Sequence, residues 1–474
     1  MRRTTTQPRN GMPGGRPSKQ AWLSMALAAT SYVVILDSIG VSVAFARIEE
    51  AFPDTPRTTL AWVSTGFSIT LASLLLLGGR LADRNGRKRV FISGSAIYLV
   101  GACISTTAPH VAILIAGRVV GGVGGALMTV TAIALALPMF PSEHRGLALG
   151  WLGVAGALAS VLGPILGSTM VELVGWRGAF GMTIPFALII LVFGKRILVE
   201  SEVAADPGGL DLISVVVGTS AVALFTLGVI QGSSWGWASI SSLAVFGASM
   251  VLLPLFLYRS ATSAAPLLSL AAFQDRRFAV GTLAQMGSQL GIFAWFFGTP
   301  LFLQNVWNWS TIDAGWALAG AMTLGVISVP AGRWADRNGY RTVLVVGSTI
   351  ASSGVVWWIV TLGENPSLWT GLVPGLFLFG LGAGFVGLPG TGAALVGITD
   401  TNLGTANAAH QTVRRLVQAM GVAVAVSVVG SRDADSVANF KWVWAITAAG
   451  YAFSAITILV AYPRGMPETS TERQ

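Results

Sequence analysis

Charge is what this chain has least of. Only 10% of its 474 residues are Asp, Glu, Lys or Arg, against about 25% in a soluble protein. With 53% hydrophobic residues and a mean hydropathy of +0.70, the deficit excludes an ordinary water-soluble domain. The single cysteine, Cys103, excludes an intrachain disulfide. His110, His144 and His410 stand too far apart for metal-ligand spacing. No G-x-x-x-x-G-K-[ST] phosphate loop occurs, so ATP is not the expected energy source. No stretch between apolar runs is long enough to house a catalytic domain, so the chain is not expected to be an enzyme. The formal net charge of +9 suggests nucleic acid only until the basic residues are located: they concentrate in alternate loops.

What is present is a series of apolar runs of membrane-crossing length. They fall at 21–46, 59–78, 89–107, 110–137, 147–171, 178–194, 211–230, 238–258, 278–303, 313–331, 342–361, 370–396, 404–429 and 441–462. An even number of spans puts both termini on one side. Most of the 29 Lys and Arg lie in the tails and loops of that side, which makes it the cytoplasm. The first run resembles a signal peptide ending at Ala44-Phe45-Ala46. It is too long for one and carries Asp37, so it is read as a retained helix.

Between the second and third runs stands Gly79-Arg80-Leu81-Ala82-Asp83-Arg84-Asn85-Gly86-Arg87-Lys88. Its pattern G-R-x-A-D-R-N-G returns as Gly332-Arg333-Trp334-Ala335-Asp336-Arg337-Asn338-Gly339. Gly146 and Gly163 recur in the same way as Gly404 and Gly421. Both echoes are offset by about 255 residues, the mark of an internally duplicated transporter. The runs at 211–230 and 238–258 fall between the repeats and have no counterpart. The expected division is a tail (1–20), a six-helix bundle (21–196), a linker with two extra helices (197–277), a second bundle (278–462) and a tail (463–474).

The duplicated loop resembles the signature of the major facilitator superfamily, and the 6 + 2 + 6 plan resembles its fourteen-helix drug:proton antiporter branch. The resemblance implies an all-α polytopic membrane protein with the major facilitator fold: two six-helix bundles around a cavity, plus two central helices. The expected function is proton-coupled efflux of lipophilic, often cationic compounds across a bacterial plasma membrane. The energy source would be the proton gradient, with no cofactor and no metal. The expected partners are the bilayer, protons and small amphipathic substrates, without nucleic acid or an obligate protein partner. An exporter of one metabolite, antibiotic or siderophore, and a non-transporting membrane sensor, are the alternatives.

Several residues carry this expectation. Asp37, in Ile35-Leu36-Asp37-Ser38-Ile39-Gly40, lies about 22 Å into the first run at 1.5 Å per residue. An acid there needs a partner or a cavity. Arg118, in Ala116-Gly117-Arg118-Val119-Val120-Gly121, lies about 10 Å in from the opposite face, at similar depth. The two are expected to form a proton-sensitive pair. Gly79, Arg80, Asp83, Arg84, Gly86 and Arg87, with Gly332, Arg333, Asp336, Arg337 and Gly339, are expected to be cytoplasmic gating loops. Gly163, Pro164 and Gly167 resemble the antiporter motif G-P-x-x-G-G, with Ser168 in place of its last glycine. Gln285 and Gln289 share a helix face and, with Trp295 and Arg414, are candidates for the substrate cavity. Helix–helix hydrogen bonding explains the glutamines equally well. The partners of Arg414 and Arg415 are not readable.

Overall fold

A chain in hydrocarbon must satisfy its own backbone N–H and C=O groups, and here helices do so. The computed structural model describes residues 17–200, 211–263, 268, 270–309, 313–314, 317, 320, 324–398, 402–429 and 437–464. Most of both expected tails, part of the linker and part of the run at 313–331 lie outside these residues. Among the described residues there is no strand.

The principal helices are α1 (Lys19–Ala29), α2 (Val33–Ala51), α3 (Trp62–Asn85), α4 (Arg87–Thr107), α5 (Val111–Ala136), α6 (Arg145–Val174), α7 (Ile184–Ile197), α8 (Leu212–Trp235) and α9 (Ile240–Thr262). The second half continues with α10 (Arg276–Asn305), α11 (Ser328–Asn338), α12 (Tyr340–Thr361), α13 (Val373–Leu395), α14 (Leu403–Val429) and α15 (Val437–Ala461). Twelve helical segments among the described residues are long and apolar enough to cross a membrane. Helix α14 has the length as well, 27 residues, but carries Asn407, His410, Arg414, Arg415 and Gln418.

Three expectations about boundaries change. The first run is not one helix: a 3-10 turn at Thr30–Tyr32 separates α1 from α2. The two signature segments are not loops. Helix α3 runs through Asp83 to Asn85, and α11 through Asp336 to Asn338. The turn itself is a single glycine in each case, Gly86 at φ 93° and Gly339 at φ 79°, where a side chain would be strained. Hydropathy ends a span where charges begin, yet helical hydrogen bonding continues to the glycine.

In the first half α4 packs on α5, α3 on α5, α2 on α6 and α4 on α7. In the second, α12 packs on α13, and α10 on α14 and α15. The halves meet through repeated partners: α3 crosses α14, and α11 crosses α6. The inserted helices α8 and α9 form a hairpin, and α8 leans on both α3 and α14, along the seam. Asp211 caps α8, accepting from the Ser214 N–H (3.1 Å) and hydroxyl (2.7 Å), and Arg259 at the end of α9 clamps both its oxygens (2.8 and 3.0 Å). These bonds, the Ser214 hydroxyl first, hold the Asp211 carboxyl well below the usual range. The outward face of α9, with Ile240, Leu243, Met250 and Val251 exposed, is apolar enough to meet lipid.

Candidate functional site

Helix α2 carries Asp37 and α5 carries Arg118, and the structure brings them together. Arg118 Nη1 donates to both Asp37 oxygens, at 2.9 and 2.7 Å. Its Nε donates to the Val63 carbonyl at 3.0 Å. The guanidinium lies 4.1 Å from the centre of the Phe67 ring and 5.4 Å from that of Phe180, positions where a ring face attracts a cation. Asp37 is 2% exposed and Arg118 4%, with the buried Tyr98 beside them. Such a pair is nearly neutral as a unit. Removing its negative partner leaves a buried cation, which costs about 3–5 kcal/mol.

The antiporter-like segment abuts the helix that holds the acid. A Cβ on Gly163 would sit 3.0 Å from Ile39, and one on Gly167 would sit 3.0 Å from the Gly40 Cα. Helix α6 thus touches α2 within a turn of Asp37 through small residues, which allow close approach. Of Pro164 only its helical backbone position is described.

The two signature acids form clasps between the halves. Asp83 accepts from the backbone N–H groups of Gly404 (3.2 Å) and Thr405 (2.6 Å) and from the Thr405 hydroxyl (2.5 Å). These lie at the N-terminus of α14, where free N–H groups favour an anion. Arg87 Nη2 adds a longer bond at 3.4 Å, and its Nη1 donates to the Ala134 carbonyl at 3.0 Å. Asp336 repeats the arrangement on α6, accepting from Gly146 N–H (2.6 Å) and Leu147 N–H (2.8 Å). A side chain on Gly79 would collide with Ala408 and the Gly404 carbonyl, and one on Gly332 with the Gly146 carbonyl. Asp336 is half-buried, and burial pushes its carboxyl up to about 6 against the opposing pull of the two N–H groups. Arg333 and Arg337 are exposed. Gly86 is also covered: Glu200, after α7, accepts from the Lys88 N–H at 2.9 Å and caps α4.

The glutamines lie in one hydrogen-bonded line. Gln418 Nε2 donates to Gln289 Oε1 at 2.6 Å, and Gln285 Nε2 donates to the Gly387 carbonyl at 2.9 Å. The Ser288 hydroxyl donates to Gln285 Oε1 at 3.0 Å. One helical turn beyond, Phe293, Phe296, Phe297, Pro300, Leu301 and Val422 line an open apolar recess of about 390 Å³. Trp295 does not join them: it is fully buried, stacked on Trp358 at 6.1 Å and near Phe379 at 4.5 Å, in the aromatic core of the second half. Arg414 Nη1 donates to Thr391 Oγ1 (3.1 Å) and Gln411 Oε1 (3.0 Å). Asn407 reaches across the halves to the Val130 carbonyl at 2.9 Å.

Sequence reading missed the receivers of the clasps, although it had noted Gly146 and Gly404 as a repeat. A repeated acid and a repeated helix start at matching offsets were the signal that they meet. It also missed Phe67, Phe180 and the Val63 carbonyl around Arg118, for which apolar sequence offers no signal.

The model of the Major Facilitator Superfamily matches residues 21–274 and 281–474. The chain is 29% identical to the tetracenomycin C resistance and export protein of Streptomyces glaucescens over 437 residues, covering 90% of this chain and 78% of that one. It is also 29% identical to a cephamycin export protein of Amycolatopsis lactamdurans over 471 residues, covering 97% and 96%. Among solved structures, a proton:xylose symporter superposes with a TM-score of 0.69 at 14% identity, over 96% of this chain and 98% of that one. That likeness concerns the fold alone. Two matched halves, each carrying the clasp signature, lead to one assignment: the chain belongs to the Major Facilitator Superfamily, a family of membrane transporters rather than enzymes.

Proposed function

We propose that this protein is a proton-coupled exporter of amphipathic small molecules in a bacterial inner membrane, with both termini cytoplasmic. The observation that carries the reading is the Asp37–Arg118 pair, buried at transmembrane depth with both carboxylate oxygens engaged. Protonating Asp37 removes the counter-charge of Arg118 and leaves a buried cation held by one carbonyl and two ring faces. The pair must then separate or admit water, and that rearrangement is the coupling step. That the relatives described above are resistance and export proteins supports the outward direction.

The mechanism is rocking of two bundles, 21–196 and 278–462, about a central site. The Asp83 and Asp336 clasps hold the cytoplasmic side shut and must release for substrate to enter from within. The proton gradient supplies the energy, and no cofactor is required. The test is a panel of amphipathic compounds, cationic, neutral and acidic, added to inside-out vesicles under a pH gradient. Substrate-triggered proton release that vanishes with a protonophore is the expected result. Binding of a compound with no proton movement and no flux would favour the sensor reading.

A further inference from the structure

Helix α14 places two arginines, Arg414 and Arg415, about 15 Å from its start at 1.5 Å per residue. Among the described residues neither has a carboxylate partner. The charged and titratable groups that face Arg414 are Arg415 on its own helix, His410 one turn below, and Tyr32 between α1 and α2. None of these brings a negative charge of its own as a neutral phenol or imidazole. Asp37 cannot serve, since Arg118 occupies both its oxygens. Arg414 spends one nitrogen on two neutral oxygens, Thr391 Oγ1 and Gln411 Oε1, and its shielded Nε has no partner. A guanidinium has five donors in a fork that suits a carboxylate. Unlike Arg118, both arginines keep part of their surface exposed. A cation at this depth needs an anion or water.

The groups beyond Arg414 follow a gradient. Arg414, Gln418 and Val422 stand four residues apart on one face of α14, as Gln285, Gln289 and Phe293 do on α10. Helices α10 and α14 pack together, and Gln289 and Gln418 bond across them. A cationic end thus passes through a ladder of neutral amides to the aromatic recess, over about 12 Å.

Resting on the exporter reading above, we propose that the exported compound is an amphipathic aromatic acid rather than a lipophilic cation. Its anionic group binds the free donors of Arg414, with Arg415 adding to the field. Its polar middle exchanges hydrogen bonds with Gln418 and Gln289, and its aromatic body lies against Phe293, Phe296 and Phe297. A lipophilic cation of the same shape meets two positive charges without an opposing one.

The experiment compares three probes on one fluorophore: dansylglycine (acid), dansylamide (neutral) and dansylcadaverine (cation). Binding is titrated by fluorescence to the purified full-length protein in chloride-free buffer. Wild type is expected to hold the acid about tenfold or more tighter than the other two. Arg414→Gln is expected to erase that preference while leaving dansylamide affinity within about twofold, and Arg414→Lys to keep part of it. Equal binding of the three, preference for the cation, no binding of the acid, or a preference untouched by Arg414→Gln overturns the proposal. Proteoliposome flux separates this from the exporter reading. Acid bound with preference but never moved under a proton gradient leaves the site standing and sinks the exporter. Cation flux without acid binding does the reverse.

Discussion

The two clasps are written in the same eight-residue pattern but built differently. Asp83 is almost fully buried and receives two N–H groups, a hydroxyl and the Arg87 guanidinium. Asp336 is half-buried and its contacts across the halves are two N–H groups. The difference traces to single positions. Where the first copy has Arg87 four residues after the acid, the second has Tyr340. Where α14 offers Thr405, α6 offers Leu147. The first clasp compensates its charge and the second does not, so burial lifts the Asp336 carboxyl to about 6. Duplication preserved the contact but neither the burial nor the neighbours of the acid.

The largest break in this comparison comes from the stronger side. Asp83→Asn takes the negative charge out of a buried network of two N–H groups, a hydroxyl and the Arg87 guanidinium, and should lower flux about tenfold or more at equal membrane abundance. Wild-type flux would deny the clasp any role. Asp336→Asn should cost less, about threefold, because it replaces one of the two acceptor oxygens that take Gly146 N–H and Leu147 N–H on a half-buried group. Parity between the two variants in the same vesicle assay would erase the asymmetry.

The pH response sharpens it further. Clasped, Asp336 binds its proton more tightly than when open to water, where a carboxyl titrates near 3.8. Acidification from pH 7 through about 6 therefore favours the clasped state, and the gain saturates once the open form is protonated too. Spin labels at Asn338→Cys and His144→Cys, on a Cys103→Ser background, should report more of the short distance at pH 5 than at pH 7. The smallest change expected is the cleanest: Tyr340→Arg puts a guanidinium four residues after Asp336, where the first copy has Arg87, lowers the Asp336 carboxyl, and flattens that response. An unchanged pH profile in this variant would place the sensing group elsewhere.

Much of this architecture was legible in the sequence because hydrocarbon tolerates few alternatives. The runs, the repeat and the inserted pair follow from hydropathy and from two echoes, the signature and the paired glycines. Asp37 and Arg118 were readable as a pair because they lie at matching depth and the family resemblance implies that both helices border the cavity. The helical form of the signature was not legible, since polar residues end a hydropathy window without ending a helix. Trp295 was misplaced for a related reason: an aromatic on a cavity-bordering helix can face the core as readily as the cavity. The partners of Arg414 were not readable either, because they are neutral oxygens, Thr391 Oγ1 and Gln411 Oε1, that no charge pattern marks.

The account turns on Asp37 as the group that carries the proton. The most direct measurement is substrate-triggered proton release from inside-out vesicles containing either wild type or Asp37→Asn, matched for abundance. The prediction is release from wild type and none from the variant, with substrate binding retained. Equal release from both would keep the exchange of protons for substrate but remove it from the Asp37–Arg118 pair, and the central claim would fail.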